Sequence, residues 1–377
     1  MTRPPDPAIV LDALPPEARA LLEHLGDLAG PGARVALVGG AVRDPLLGVP
    51  AGATPDLDIV VSGAEVRALS EKTRLPYVFH PAYGNATLRL PDGLSADLVR
   101  ARREDYPVPG GPPRVTQAGL EQDLARRDFT LNALALELTP GGARLTLPAG
   151  LPQEVVWADF SARRLRPLGG HSFHDDPSRL VRGARLAARL GLEAHPELLG
   201  QVPAALEVAP ATPRLDAELR LLLNEPRPGR AARLLEEWGA GSLLPPGSAG
   251  LLERLDRQGA EGAGGSLSPA ALLSLPGNPT GLAAKLGLGG RPLELLARAR
   301  SGRPYPPGSP EARLRELLDL GPGYSPLQGR DLLELGLPAS PEIGRTLAWL
   351  AAQRQAGLLR SRDDERRAVL ERLESGG

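Results

Sequence analysis

Residues 37–63 read LVGGAVRDPLLGVPAGATPDLDIVVSG, and this stretch decides the fold of the first third of the chain. A strand-like run, Val35 to Val38, meets Gly39 and Gly40. Arg43 and Asp44 follow, and a second strand opens with Asp56-Leu57-Asp58. Side chains alternate faces along a strand, so Asp56 and Asp58 project the same way, about two residue rises apart. Two carboxylates that close resist ionising together at neutral pH, and a bound divalent cation removes the conflict. The diglycine permits a tight turn and close approach of backbone to ligand. The helix expected next offers its N-terminal N–H groups to phosphate. Arg43, about one turn into it, adds a planar fork for phosphate oxygens. An isolated Asp-x-Asp is weak and usually marks a solvated loop. The ordered set of Gly-Gly, Val-Arg-Asp and Asp-x-Asp is far more specific, and it describes a magnesium–nucleoside triphosphate site.

The bulk composition sets limits around that site. At 377 residues the chain is long enough for two to four compact units. It has no cysteine, which excludes disulfides and zinc–thiolate chemistry. Residues 1–26 lack the basic start and apolar core of a secretory signal, and no run of about eighteen apolar residues suggests a membrane span. The expectation is a cytoplasmic protein. Among the 44 basic residues lysine occurs only at Lys72 and Lys285. With net charge −1 the arginine excess reads as codon bias, since a coat for nucleic acid would be basic. Local clusters remain candidates for a basic groove: Arg100, Arg102 and Arg103; Arg126 and Arg127; Arg163, Arg164 and Arg166.

The first third alternates β-rich runs with helical stretches. Strands are expected at 34–38, 57–61, 76–79, 86–90 and 95–100, with an apolar run at 131–138. From about residue 171 Leu, Ala and Arg recur at helical spacing, through 179–192, 215–224, 230–238, 341–357 and 363–374. Pro and Gly at 245–247, 260–265 and 302–309 mark loops. An α/β head followed by an all-helical body is the simplest α+β architecture.

Three further elements complete the candidate site. Asp97 lies in a later strand and is the choice for a third carboxylate that helps deprotonate an attacking hydroxyl. Residues 123–133, DLARRDFTLNA, place Arg127 as a phosphate or ribose contact, with Asp128 and Asn132 able to bond ribose hydroxyls. Residues 174–185, HDDPSRLVRGAR, begin with an Asp cap and a proline at the first helical position. Arg179, Arg182 and Arg185 then recur at spacing three on one broad face. A solvated helix face is the plainer reading. The alternative pairs Asp176 and Arg179 with the Watson–Crick edge of a base. Cytosine and adenine both present an amine donor beside a ring-nitrogen acceptor, which an Asp and an Arg match. Guanine and uracil present the reverse and leave buried groups unpaired.

At this point LVGGAVRD…DLDIVV, DLARRDFTLNALAL and HDDPSRLVRGARLAARLGL resemble the successive signatures of the class II tRNA nucleotidyltransferases. These are the CCA-adding enzymes and bacterial poly(A) polymerases. PRLDAELRLLL, PGRAARLLEEWGAGSLLP and GRDLLELGLPASPEIGRTLAWL extend the resemblance over nearly the whole chain. It implies a polymerase-β-like nucleotidyltransferase head with a mixed sheet (1–145), a helical neck that reads the base (146–240), a helical body (241–325) and a helical tail that grips tRNA (326–377). It also implies addition of C, A or both from CTP and ATP to the tRNA 3′ end, with Mg2+ on Asp56 and Asp58. It places nucleotide contacts on Gly40, Arg43, Arg127, Asp176, Arg179, Arg182 and Arg185. Asp97 as a third catalytic carboxylate, and Gly39, Asp128 and Asn132 as further nucleotide-binding residues, rest on the reading of the residues above. The chain departs from the family pattern in three places. Asp175 replaces a glutamate, LPAGLPQ stands where a DPFGG-like stretch is common, and Pro213-Arg214 replaces Glu-Arg in the neck. Residues 104–125 correspond to the family's flexible loop, which is linked to switching from C to A addition.

Other outcomes follow from the same residues: a CC-only or A-only enzyme, a poly(A) polymerase, or a silent RNA-binding homologue. The last conflicts with intact Asp56, Asp58, Arg43 and Arg127. His174-Asp175 spells the first pair of an HD phosphohydrolase, but only His195 follows it, too few ligands for that chemistry. His24, His80 and His171 read as structural or surface residues.

Overall fold

The computed structural model describes residues 4–50, 56–91, 93–139, 142–259, 265–301, 303–320, 325–355, 358–359 and 361–375. Its contacts divide the chain into two compact units, Met1–Leu215 with Trp238–Ala240, and Asp216–Glu237 with Gly241–Gly377.

The first unit is built on strands β1 (Arg34–Val38), β2 (Leu57–Ser62), β3 (Tyr77–His80), β4 (Asn85–Arg89) and β5 (Ser95–Arg100). It continues through β6 (Arg102–Asp105), β7 (Arg114–Gln117), β8 (Ala135–Thr139), β9 (Gly142–Thr146), β10 (Arg164–Leu165) and β11 (Glu193–Ala194). Among the described residues, seven of these form one mixed sheet in the order β3-β4-β5-β2-β1-β8-β9. The β2–β5 pair is parallel and the other pairs are antiparallel. Five expected strands appear within a residue or two of their predicted bounds. The run at 131–138 is corrected: Thr130–Asn132 is a 3-10 turn and β8 starts only at Ala135.

The helices of this unit are α1 (Ala8–Ala13), α2 (Pro16–Ala29), α3 (Gly40–Leu46), α4 (Val66–Thr73) and α5 (Leu120–Ala125). After them come α6 (Gln153–Ser161), α7 (Ser172–Asp175), α8 (Ser178–Leu190), α9 (Pro196–Val208) and the start of α10 (Pro213–Leu223). Alternation gives the sheet two unequal faces. Leu57, Ile59 and Val61 of β2, Val35 and Leu37 of β1, and Ala96 and Leu98 of β5 share one large core with Leu21, Leu22 and Leu25 of α2, Val66 and Leu69 of α4, and Val156 and Trp157 of α6. Burying each such leucine contributes about 1.5–3 kcal/mol. The opposite face carries a small core, in which Ala36, Val38, Val60 and Ala135 meet Leu120 and Leu124 of α5. Asp58, Asp97 and Thr87 lie on this second face, open to solvent or partly so.

The second unit is helical. It holds most of α10, then α11 (Pro228–Glu237), α12 (Ser248–Arg257), α13 (Leu267–Leu273), α14 (Pro279–Lys285) and α15 (Gly290–Arg300). It ends with α16 (Pro310–Leu317), α17 (Gly329–Glu334), α18 (Glu342–Gln355) and α19 (Arg362–Ser375). Leu327, Leu332, Leu337, Leu350 and Val369 gather into a separate cluster at its end. The expected loop at 260–265 falls mostly outside the described residues, as do residues 356 and 357 of the expected last-but-one helix. Among the described residues, no helix is long and apolar enough to cross a membrane.

Candidate active site

A cleft of about 550 Å3 in the first unit is lined by Gly39, Gly40, Arg43, Asp58, Arg127, Asp128, Asn132, Asp176, Arg179, Arg182 and Arg185. Of the residues expected from sequence, it omits Asp56 and Asp97. Asp56 lines an adjoining hollow that shares Gly40, Arg43 and Asp58, and Asp97 is the register partner of Asp58.

At the acidic end, register does the positioning. Parallel pairing of β2 and β5 sets Asp58 beside Asp97, while Val38, the last residue of β1, pairs with Asp58 from the other side. The next residue, Gly39, turns the chain at φ 73 into α3. A Cβ there would also sit 3.1 Å from Asp58 Oδ2, so glycine is required by backbone angle and by space. Asp58 is open to the cleft, yet surrounding protein withdraws enough water to raise its pKa. Arg127 pulls the other way, and the charges of Asp97 and Asp56 push it higher.

Arg43 is 6% exposed and its fork is partly used. Nε and Nη2 reach Asp44 Oδ1 at 2.7 and 2.6 Å, and Nη1 donates to Asn132 Oδ1 at 2.7 Å. Each terminal nitrogen keeps a second N–H. From Asn132 the chain of bonds continues. Its Nδ2 donates to Asp128 Oδ1 at 3.0 Å, and Asp128 Oδ2 accepts from Arg182 at 3.2 Å. The 3-10 turn that shortens the expected strand is what brings Asn132 to Arg43. Asp128 is buried, which by itself would raise its pKa. Arg182, the Asn132 bond and Arg179 outweigh that and hold it below the usual carboxylate range. Asp128 and Asn132, expected as ribose contacts, are therefore also the link between α3 and α8.

At the other end of the cleft, Asp176 is extended and Pro177 already has helical angles. The Asp cap and following proline are as expected. Asp176 Oδ1 accepts from the amide and hydroxyl of Ser178 at 3.1 and 2.6 Å, and Oδ2 accepts from Arg214 Nη1 at 3.2 Å. Arg179 donates to Ser172 Oγ and to the Arg126 carbonyl, both at 2.9 Å. The guanidiniums of Arg179 and Arg214 lie 5.7 and 5.4 Å from the Tyr106 ring centre. Pro213-Arg214, a departure in sequence, still places an arginine on Asp176.

Several supporting residues escaped sequence reading. Residues 104–125, the expected flexible loop, contain an ordered hairpin of β6 and β7 followed by α5. Its tip docks on the helices: Gly110 N donates to the Asp175 carbonyl at 3.1 Å and Arg214 to the Gly111 carbonyl at 3.0 Å. A side chain at Gly110 would meet Thr212 Oγ1 at 2.5 Å. Asp123, fully buried, holds Arg126 at 2.8 Å and Arg127 at 3.1 Å. Glu104 bridges Arg102 and Arg126, both at 2.9 Å. Those two arginines, with burial opposing them, keep its pKa low. The i, i+4 spacing of Asp123 and Arg127 was the one signal available. Of the arginine clusters named as candidates for a basic groove, Arg102, Arg126 and Arg127 line the cleft. Several members also have protein partners: Arg102 and Arg126 pair with Glu104, Arg103 with Asp105 and Arg166 with Asp159, while Arg163 donates to the carbonyls of Leu47 and Leu190. His195 caps α9, its Nδ1 accepting from Glu197 N at 3.1 Å, a structural role that fits the dismissal of an HD site.

Residues 35–145 match the family model described as the poly(A) polymerase head domain. Over 97% of this chain and 96% of the relative, the sequence is 53% identical to the CC-adding tRNA nucleotidyltransferase of Deinococcus radiodurans. Over 63% of this chain and 58% of the relative, it is 34% identical to the A-adding tRNA nucleotidyltransferase of Halalkalibacterium halodurans. Among solved structures, apo form II of a CCA-adding enzyme matches with a TM-score of 0.67 at 22% identity, covering 98% of each chain. That likeness shows a shared fold.

Proposed function

The chain belongs to the tRNA nucleotidyltransferase family, and from that premise we propose that it adds the two cytidines of the tRNA CCA end, using CTP and Mg2+. It is an enzyme of the nucleotidyltransferase class. The choice of CC over A or full CCA rests on the near full-length similarity to a CC-adding relative. The observation that carries the mechanism is one cleft lined both by Asp58, whose strand partner is Asp97, and by the buried Asp176 and Arg179.

The donor set fits magnesium. Asp58 on β2 and Asp56, just before that strand, offer hard carboxylate oxygens, and both line one hollow. Magnesium commonly takes one or two carboxylates and completes its shell with substrate phosphates and water. When bound, it activates the attacking hydroxyl and stabilises charge on the departing pyrophosphate. The protein's own groups do the rest. The Gly39–Gly40 turn and the remaining donors of Arg43 hold the β and γ phosphates, and Arg127 adds charge nearby. Asp97 accepts the proton of the RNA terminal hydroxyl as it attacks the α-phosphorus.

Base selection follows from the lone pairs left over. Both sites on Asp176 Oδ1 are taken by Ser178, whereas Oδ2 has one free beside Arg214. That site accepts the cytosine amine, and a second N–H of Arg179 donates to the ring nitrogen. Uracil and guanine would set donor against donor there.

The test uses tRNA transcripts ending at the discriminator base, at C and at CC, each with CTP, ATP or both. Products are resolved at single-nucleotide length. Extension of the first by two cytidines and no further, with ATP present, is the expected result. Growth to CCA, or extension of only the CC-ended transcript by one A, overturns the CC assignment.

A further inference from the structure

The acidic row does not end at Asp97. Antiparallel pairing of β4 with β5 sets Thr87 opposite Asp97, so the row across the sheet reads Thr87, Asp97, Asp58. Thr87 Oγ1 donates to Asp97 Oδ1 at 2.6 Å. On the far side, His80 Nε2 at the end of β3 lies 3.3 Å from the same Oγ1. A threonine hydroxyl has one hydrogen, and here it points to Asp97. His80 must then be the donor in the second contact, which fixes its tautomer with the proton on Nε2. Like Asp97 itself, neither residue is among those that line the cleft.

We propose that Thr87 is a positioning residue for the third carboxylate: its hydroxyl locks the Asp97 rotamer and occupies Oδ1, leaving Oδ2 to the reacting hydroxyl, with His80 orienting Thr87. This rests on the reading of Asp97 as the group that takes the proton from the RNA terminus. An aspartate on an exposed strand face has several accessible rotamers, and only some carry an oxygen toward the β2 carboxylates. Holding one of them in place lowers the barrier through orientation. Such a role acts on kcat rather than on the ground-state binding of CTP or tRNA. The β-branched shape of threonine also suits a strand, so shape and hydroxyl have to be separated by experiment.

Steady-state CMP addition to a discriminator-ended transcript separates them. Thr87→Val keeps the shape and removes the hydroxyl. It is expected to lower kcat about tenfold while KM for CTP and for tRNA stay within about twofold. Thr87→Ser keeps the hydroxyl and drops the branch, and should restore kcat to within about threefold of the parent. His80→Ala should cost about two- to threefold in kcat. Asp97→Asn, run alongside, should lose about 100-fold or more. Parental kcat in Thr87→Val beside an inactive Asp97→Asn overturns the positioning role and leaves the Asp97 reading intact. A serine variant as slow as the valine variant, or a change confined to KM, overturns it too. Parental kcat in Asp97→Asn overturns the reading of Asp97 itself, and the positioning role with it.

Discussion

The two ends of the cleft are built on opposite terms. At the sheet end, Asp58 and Asp97 stand in register, solvent-accessible and mutually repelling. At the helix end, Asp176 and Arg179 are 5% and 8% exposed, and both are held by protein partners. In the proposed function the first arrangement is the one that would take a cation and phosphates. The second is complete in shape before any ligand enters, with specific lone pairs and N–H groups left over. A site that must recruit a metal and release pyrophosphate gains from the first. A site that must reject the wrong base gains from the second, since a rigid donor–acceptor pattern leaves mismatched groups unsatisfied. Asn132 and Asp128 join the two, from Arg43 to Arg182.

Predictions follow in order of expected effect. Asp58→Ala should reduce CMP addition by about 1,000-fold or more, because it removes a shared metal ligand. Filter binding of tRNA should be unaffected. Retained activity would mean that the acidic end is not the chemical end. Arg214→Ala should change selectivity more than rate. With Asp176 Oδ2 released from its partner, discrimination of CTP against UTP should fall about 10- to 100-fold in competition assays. An unchanged ratio would break the account of the helix end.

Gly39→Ala places a methyl group against Asp58 and forces a left-handed backbone angle on alanine, at about 1–2 kcal/mol. A drop of about tenfold in kcat with a modestly lower Tm is expected. The smallest effect concerns the sheet itself. Glu137 is 3% exposed and bonded by Arg34, Thr146 and Arg144. Burial opposes its ionisation, but those bonds prevail and hold its pKa at about 2, below the ordinary 4.5. Because the folded value is depressed, its contribution is fully present above about pH 4.5 and is lost as pH falls toward about 2. Glu137→Gln should cost about 1–2 kcal/mol near neutral pH, and less in acid, as measured by urea unfolding across that window.

The contrast between the ends also explains what was legible in the sequence. The sheet end is local: Gly39–Gly40, Arg43 and Asp56-x-Asp58 lie within twenty residues, at the strand–turn–helix of β1 and α3 and the start of β2. Strands β1 to β5 were recognisable because each has an apolar inner face. The hairpin of β6 and β7 was not, since RRED carries charge on both faces, RVTQ is exposed throughout, and neither has a hydrophobic period. The helix end depends on long-range contacts. Arg214 meets Asp176, and Tyr106 fits against both Arg179 and Arg214, pairings that no spacing rule contains. The partners of Arg126 and Arg166, Glu104 and Asp159, likewise come from other elements.

The most direct test of this division is a magnesium titration of single-turnover CMP and UMP addition by the parent enzyme and by Asp176→Asn. The account predicts one magnesium midpoint for both proteins, with the CTP-to-UTP preference collapsing only in the variant. A shifted midpoint with the preference intact would show that Asp176 serves the metal end, and would contradict it.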